Sequence, residues 1–512
     1  MIVIYHNNFK VLSLETSDDK LALATENIVS TLFAAAEQYP DQLLIWCHIS
    51  QKENLNASAL AEIFHHQKIV ASYTTDNANY LSDTIGYVEE SPFIKINKEV
   101  SYPTWQLSTD VGGAYAAVFL AIKSCFPQNT NFACFLQSFA KLAMPLGIFC
   151  YSEPKLLETI STCISDKKAA KEAELFKFVK QHYRTRWLLL LLLNLFIYEK
   201  RIPLLAFLKA LFYRKRKIPA NTFDSITIQS SRKVVHNKTI DVIIPTIGRK
   251  KYLYDVLVDL KNQTHLPQNV IIIEQNPDEG STSELDYLKN EIWPFTIKHT
   301  FTHQAGACNA RNLALAEVTS DWVFLNDDDN RFDVDLLDKT LGLLAIYGVS
   351  CISTAYMQSN EIKDCNVANQ AGIFGSGNSF LRSNVLSQVH FNLGYEFGYG
   401  EDADFGMQLR NRGIDVIYVP ILEILHLKAP LGGFRTKPEL QWHKEMLQPK
   451  PSPTIMLYKL LHLTKEQRLG YKTVLFFKYY KRQIIKNPFK YYVNFRKQWE
   501  KSLFWANKLN EK

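Results

Sequence analysis

DWVFLNDDDN, residues 321–330, runs a four-residue apolar stretch into three consecutive aspartates, Asp327, Asp328 and Asp329. A short apolar run bounded by polar residues reads as a buried strand. Like charges at its mouth repel one another unless something holds them. Taken alone the triplet fits a solvated acidic turn. It equally fits a divalent cation, the simplest means of keeping several carboxylates close. An EF-hand calcium loop fits poorly. Counted from Asp327, its fifth and sixth positions are Arg331 and Phe332, where an oxygen ligand and a glycine are needed.

Two earlier segments share this build. TIDVIIPTIGR (239–249) is an apolar run ending in Pro245, Thr246 and Arg249, and NVIIIEQNPDEGS (269–281) ends in Glu274, Gln275 and Asn276. Helical spacing follows in YLYDVLVDLKNQ (252–263) and GACNARNLALAEV (306–318), the latter carrying Arg311 and Asn312 behind Gly306. Alternation of this kind predicts a mainly parallel sheet flanked by helices. Ligands bind such sheets at the carboxyl ends of the strands, where all three polar clusters fall, and this favours the metal reading of the triplet.

Farther along, GSGNSFLRSNVL (375–386) offers small residues, Gly377 among them, where a ligand can approach the backbone. GYGEDADFGMQLRNRG (398–413) follows, in which Glu401, Asp402 and Asp404 open a helix. Acids there are ordinarily capping or dipole-stabilising groups. ILEILHLKAPLGGFR (421–435) sets His426 at the end of an apolar strand. It is either a core histidine or a ligand completing an oxygen-rich metal site.

Together, VIIPTIGR, IIIEQNP, GACNARN, FLNDDDN, GSGNSFLRS, GEDADFGMQLRNRG and ILHL resemble, in order, a family 2 glycosyltransferase of the GT-A fold. The resemblance implies that Pro245, Thr246, Arg249, Glu274 and Gly377 border the nucleotide sugar and that Arg311 lies near the donor. It makes the acidic run a DxD motif whose Mg²⁺ or Mn²⁺ bridges the donor diphosphate, with Asp327, Asp328, Asp329 and His426 as candidate ligands. It further implies a catalytic base at Asp402, beside Glu401. Two departures stand out: Asn326 occupies a place where the family often has an acid, and Glu274-Gln275 replaces a commoner acidic pair.

At 512 residues the chain predicts several domains, and 47% hydrophobic against 21% charged residues is a folded composition. Residues 1–165 read as an α/β domain, with a segment order loosely like the catalytic one, as in a degenerate GT-A copy. Its Gly112-Gly113 pair reads as a turn, either tight or phosphate-facing. Residues 166–236 form an apolar and basic helical connection, 237–433 the GT-A domain, and 434–512 a basic, aromatic helical extension. The run Trp187 to Tyr198 is shorter than the roughly 20 residues a spanning helix needs. It reads as a buried hairpin or, given the flanking Arg and Lys, as a contact with an anionic membrane surface.

Net charge is +7, yet residues 451–512 hold fourteen Lys or Arg against three Glu, so this tail is +11 and the rest is −4. Basic residues interleaved with aromatics favour a bilayer surface over nucleic acid, and no nucleic-acid partner is expected. Eight cysteines without a CxxC pair read as reduced thiols. The start MIVIYHNNFK lacks a signal-peptide layout. The expected location is cytoplasmic, peripheral at the inner face of the membrane. The expected activity is inverting, metal-dependent transfer from a nucleotide-diphospho-sugar to a glycan or lipid-linked glycan. The alternatives are a catalytically silent nucleotide-sugar-binding or scaffold protein of the same fold and, more distantly, a nucleotidyltransferase.

Overall fold

The computed structural model describes residues 1–16, 19–22, 25–76, 79–159, 170–363, 365–430 and 438–511. The chain divides into two compact units. One comprises Met1–Arg232, Asn411–Gly413 and Leu463–Arg482, the other Lys233–Arg410, Ile414–His462 and Gln483–Lys512.

The first unit holds strands β1 (Ile2–His6), β2 (Val11–Glu15), β3 (Lys20–Leu21), β4 (Leu43–His48), β5 (Ile69–Tyr73), β6 (Tyr102–Pro103), β7 (Val111–Tyr115) and β8 (Phe149–Ser152). They lie in the order β3-β2-β1-β4-β7-β5-β8-β6. β1 and β5 are buried along their whole length, which is why they are apolar runs and do not alternate. Helix Ile28–Gln38 follows because the Asn27 side chain accepts the Ser30 N–H at 3.0 Å and caps it.

Gly112 and Gly113 form no turn of either expected kind. They lie inside β7, between β4 and β5, where a Cβ on Gly112 would overlap the Trp46 ring and one on Gly113 the Ile45 side chain. Helices Ala116–Ile122, Phe132–Ala143, Glu172–His182, Thr185–Asn194, Leu204–Leu211 and Lys465–Tyr480 also belong to this unit.

The second unit holds β9 (Ile240–Thr246), β10 (Asn269–Gln275), β11 (Thr296–Thr302), β12 (Trp322–Asn326), β13 (Asn330–Phe332), β14 (Cys351–Met357), β15 (Asn369–Gln370), β16 (Asn378–Arg382) and β17 (Ile417–His426). Their order is β11-β10-β9-β12-β16-β14-β17-β13, with β15 paired to β17. β11, β10, β9 and β12 are parallel, as the strand-helix alternation predicts. β16 then runs antiparallel to both its neighbours, and the sheet as a whole is mixed. Buried Asp241 ties the parallel half together, accepting from Asn269 Nδ2 at 2.7 Å, Ser320 Oγ at 2.6 Å and Thr319 N at 2.7 Å.

Five strands repeat between the two sheets. β1, β4, β7, β5 and β8 adjoin in that order with parallel, antiparallel, antiparallel and parallel pairings. β9, β12, β16, β14 and β17 do the same, in the same chain order. The sheets part at the next strand, where β2 is antiparallel to β1 whereas β10 is parallel to β9.

In the C-terminal helix Pro488–Asn510, the aromatics Tyr491, Phe495 and Trp499 belong to one buried stripe that continues through Ser502, Ala506 and Leu509. These three of the tail's aromatics are therefore core, whereas Phe477, Phe489, Tyr492 and Phe504 are exposed. The seven cysteines among the described residues are not in disulfides, and Cys163 lies outside those residues.

Candidate functional site

The site is built where β9, β10, β12, β14 and β17 end on one edge of the second sheet. β12 is buried throughout and stops at Asn326. The Asn326 Oδ1 accepts from Asn330 Nδ2 at 2.6 Å, and Asn330 Nδ2 also donates to the Gly377 carbonyl at 2.7 Å. This clasp closes the turn bearing the aspartates, and a neutral amide suits a position with no solvent exposure.

The three carboxylates diverge from that turn. Asp327 accepts from Arg311 Nη2 at 2.9 Å and the Tyr356 hydroxyl at 3.0 Å. Asp328 is buried and has both oxygens engaged, one by Thr246 Oγ1 at 2.7 Å and one by Arg249 Nη1 at 2.6 Å. Burial pushes its carboxyl up to about 6 in spite of these partners. Asp329 accepts the Ala429 N–H at 2.8 Å and lies 3.3 Å from Arg249 Nη1 and 3.5 Å from His426 Nε2. Burial opposes its ionisation, but His426, Arg249 and the Ala429 N–H outweigh it and hold the carboxyl below its ordinary range. β13 pairs Asn330 directly with His426, which is how β17 delivers the imidazole to Asp329. The Tyr356 ring stacks on that imidazole at 4.5 Å.

Pro245 and Thr246 end β9 in register with Ile273 and Glu274 of β10. Glu274 accepts the Glu284 N–H at 3.2 Å and pairs with His299 Nε2 at 2.9 Å. Burial works against its charge, yet these contacts hold the carboxyl below its ordinary value.

Glu401 and Asp402 open helix Glu401–Arg410. Asp404, two residues on, is saturated by His462 Nε2 at 2.6 Å, Gln408 Nε2 at 2.8 Å and the Tyr395 hydroxyl at 3.3 Å, and so is structural. Asp402 differs: Ser376 hydrogen-bonds to it, while its Oδ1 is shielded from solvent with no hydrogen-bond partner. Burial raises both Glu401 and Asp402, and Arg311 pulls against that rise in each. Ser376-Gly377 joins the two halves of the site, since Ser376 touches Asp402 and a Cβ on Gly377 would overlap the Asp327 carboxylate. The Gly377 backbone thus abuts an acid of the triplet.

Among the described residues, no three His, Cys, Asp or Glu side chains converge on one point. The pair facing each other is Asp329 and His426, and Asp329 Oδ1 is buried without a hydrogen bond. An acceptor oxygen left this way beside an imidazole fits a divalent cation.

Three further residues belong to this constellation. Tyr356 is the penultimate residue of β14 on the same edge, and its place in a strand-like run ending there is a signal the sequence carries. Ser376 acts through its hydroxyl as well as its small size. Glu396 accepts from the Cys308 and Asn309 N–H groups at 3.1 and 2.9 Å, so it caps helix Ala307–Ala316 from a distant loop, for which the sequence has no local sign.

Residues 241–402 match the family model described as glycosyl transferase family 2. An uncharacterized glycosyltransferase of Haemophilus influenzae is 29% identical over 105 residues, which are 20% of this chain and 34% of that protein. The chain thus spans about a third of that relative's length. The S. aureus TarS 1-349 structure in complex with UDP-GlcNAc is 16% identical over 52% of this chain and 79% of that one, with a TM-score of 0.33. A longer S. aureus TarS structure is 18% identical over 36% of each chain, with a TM-score of 0.29.

Proposed function

Residues 241–402 are a glycosyl transferase family 2 domain, and from that premise we propose that the chain is an inverting glycosyltransferase acting on a nucleotide-diphospho-sugar. The observation that carries this reading is the Ser376-Gly377 junction, which sets the unsaturated Asp402 carboxylate and the Asp327 end of the donor edge on either side of one dipeptide.

A sugar hydroxyl is a poor nucleophile near neutral pH. A positioned carboxylate that takes its proton as the bond forms accelerates such a step typically by ~10²–10⁴-fold. Asp402 is that base. The acceptor oxygen bonds to the anomeric carbon, the bond from that carbon to the diphosphate oxygen breaks, and the hydroxyl proton passes to Asp402. Attack from the face opposite the leaving group inverts the anomeric centre, with no sugar-enzyme bond.

Arg311, buried beside Asp327, supplies positive charge where the leaving diphosphate accumulates negative charge. Thr246 and Arg249 hold Asp328, so Asp328 orients Arg249 while Asp327 and Asp329 face the donor. Asp329 and His426 would hold Mg²⁺ or Mn²⁺, and Asp327 would join them only on releasing Arg311 or Tyr356; the bound ion would neutralise charge on the diphosphate as a Lewis acid. The acceptor class is a glycan or lipid-linked glycan hydroxyl.

The test is transfer by wild type and Asp402→Asn across a panel of nucleotide sugars that includes the UDP-GlcNAc found with TarS. Loss of about 10²-fold or more in kcat, with donor affinity by calorimetry kept within a few-fold, is the expected result. Undiminished turnover in Asp402→Asn would remove it as base. Donor binding by wild type without turnover would favour the silent binding protein, and pyrophosphate release from a nucleoside triphosphate a nucleotidyltransferase.

A further inference from the structure

In helix Leu204–Leu211 of the first unit, Ala206, Phe207 and Ala210 are buried, and the opposite stripe, Leu204, Leu205, Leu208, Leu211 and the following Phe212, is exposed. A water-facing helix stripe is ordinarily polar. Here it is wholly apolar, with Leu205 66% and Phe212 88% exposed. The preceding helix Thr185–Asn194 and the π turn Leu195–Glu199 bury Leu188, Leu191 and Leu195 and expose Leu189, Phe196 and Ile197. Ile202 is exposed in the link between them. Contiguous exposed apolar surface on this scale marks an interaction site.

The rim decides the partner. Arg184 and Arg186 precede the patch, Lys200 stands at its turn, and Arg214, Lys215 and Lys217 follow it, all exposed; Arg201, also at the turn, is already paired with Glu172 and Glu199. Lys209 lies on the polar margin of the Leu204–Leu211 helix, where its long stem can follow apolar surface while the ammonium reaches outward. Leucine and phenylalanine within a ring of cations match the boundary between acyl chains and anionic headgroups.

No helix among the described residues is long and apolar enough to cross a membrane. The helix Leu204–Leu211 is eight residues, or ~12 Å at 1.5 Å per residue. A helix of this length is too short to span a bilayer.

We propose that residues 184–217 are a docking surface for an anionic lipid bilayer, with the Leu204–Phe212 stripe entering the interface and the flanking cations meeting phosphate headgroups. This does not depend on the transferase reading.

The experiment is flotation of the full chain with phosphatidylcholine vesicles, with and without phosphatidylglycerol, at low and high salt. Wild type is expected to float with the phosphatidylglycerol vesicles at low salt, and binding should fall severalfold as salt screens the cations. Leu205→Glu/Leu208→Glu/Phe212→Glu and, separately, Arg214→Glu/Lys215→Glu/Lys217→Glu should each reduce it about tenfold or more.

These positions are exposed, so both variants should keep the wild-type melting temperature. If the apolar triple variant melts lower, Phe212→Ser alone and the charge variant carry the test. Undiminished binding in the apolar and charge variants, or a wild type that stays in solution at low salt, overturns the proposal. So does a concentration-dependent dimer that only the apolar variants abolish, since the face would then belong to a second copy of the chain.

Discussion

Two acids separated by one residue, Asp402 and Asp404, look alike in the sequence and differ in every contact. Asp404 is saturated by His462, Gln408 and Tyr395, while Asp402 keeps a shielded oxygen with no partner. A base needs such an oxygen, and a structural carboxylate cannot afford one. The same contrast runs through the aspartate triplet, where Asp328 has both oxygens engaged and Asp329 has one without a hydrogen bond. Gly377 belongs at this scale too. Its φ is not left-handed, and what requires glycine is the Asp327 carboxylate that a methyl would overlap. Gly377→Ala is expected to cost ~1–3 kcal/mol of stability, or the equivalent in donor affinity through a displaced Asp327. Denaturant melts and donor titration of the variant measure both.

At the scale of elements, β9, β10 and β12 are held in register by a side chain that the motif reading passed over. Asp241 takes hydrogen bonds from Asn269 at the start of β10 and from Thr319 and Ser320 before β12. Burial disfavours its charge, but these donors prevail and lower its carboxyl below the ordinary value. Asp241→Ala leaves several buried donors unsatisfied and should destabilise the second unit by about 3 kcal/mol or more. The expected result is a lower denaturation midpoint with an unchanged slope. The strand-helix alternation was legible because parallel strands buried on both faces must be apolar and must be joined by covering helices. The reversed strand β16 was not, because NSFLR has the same local pattern whichever way it runs.

Across the whole molecule, five strands recur in the same order and sense in both sheets. The first sheet lacks the chemistry of the second: β4 ends in Cys47 and His48 where β12 leads into three aspartates, and the position of β10 with Glu274 is taken by the hairpin strand β2. Calorimetry should therefore give one donor site per chain, and a stoichiometry of two would show that the first sheet also binds.

The first unit also buries histidines. Burial lowers His6, His66 and His182 from 6.5 to about 3. The unfolded chain thus takes up protons that the folded one refuses, so stability is full above pH ~6.5 and falls as pH drops from there toward 3. Each histidine contributes up to about 1.4 kcal/mol per pH unit in that window. Melts at pH 7 and pH 5 test this, and equal stability at both would contradict it.

The sequence by itself determined where chemistry could collect. Apolar runs ending in PTIGR, EQNP, NDDDN and ILHL fix strands whose ends carry the polar groups, because a buried strand must be apolar and can turn polar only where it emerges. Only the tertiary structure decided which carboxylates are committed and which are left open. That depends on partners far away in the chain, such as Arg249 for Asp328, His462 for Asp404 and Ser376 for Asp402. It likewise decided that Gly112-Gly113 is strand packed on Trp46, and that Tyr491, Phe495 and Trp499 are core while Leu205, Leu208 and Phe212 face outward. Burial is set by what packs against a side chain, and composition and periodicity cannot supply that neighbour.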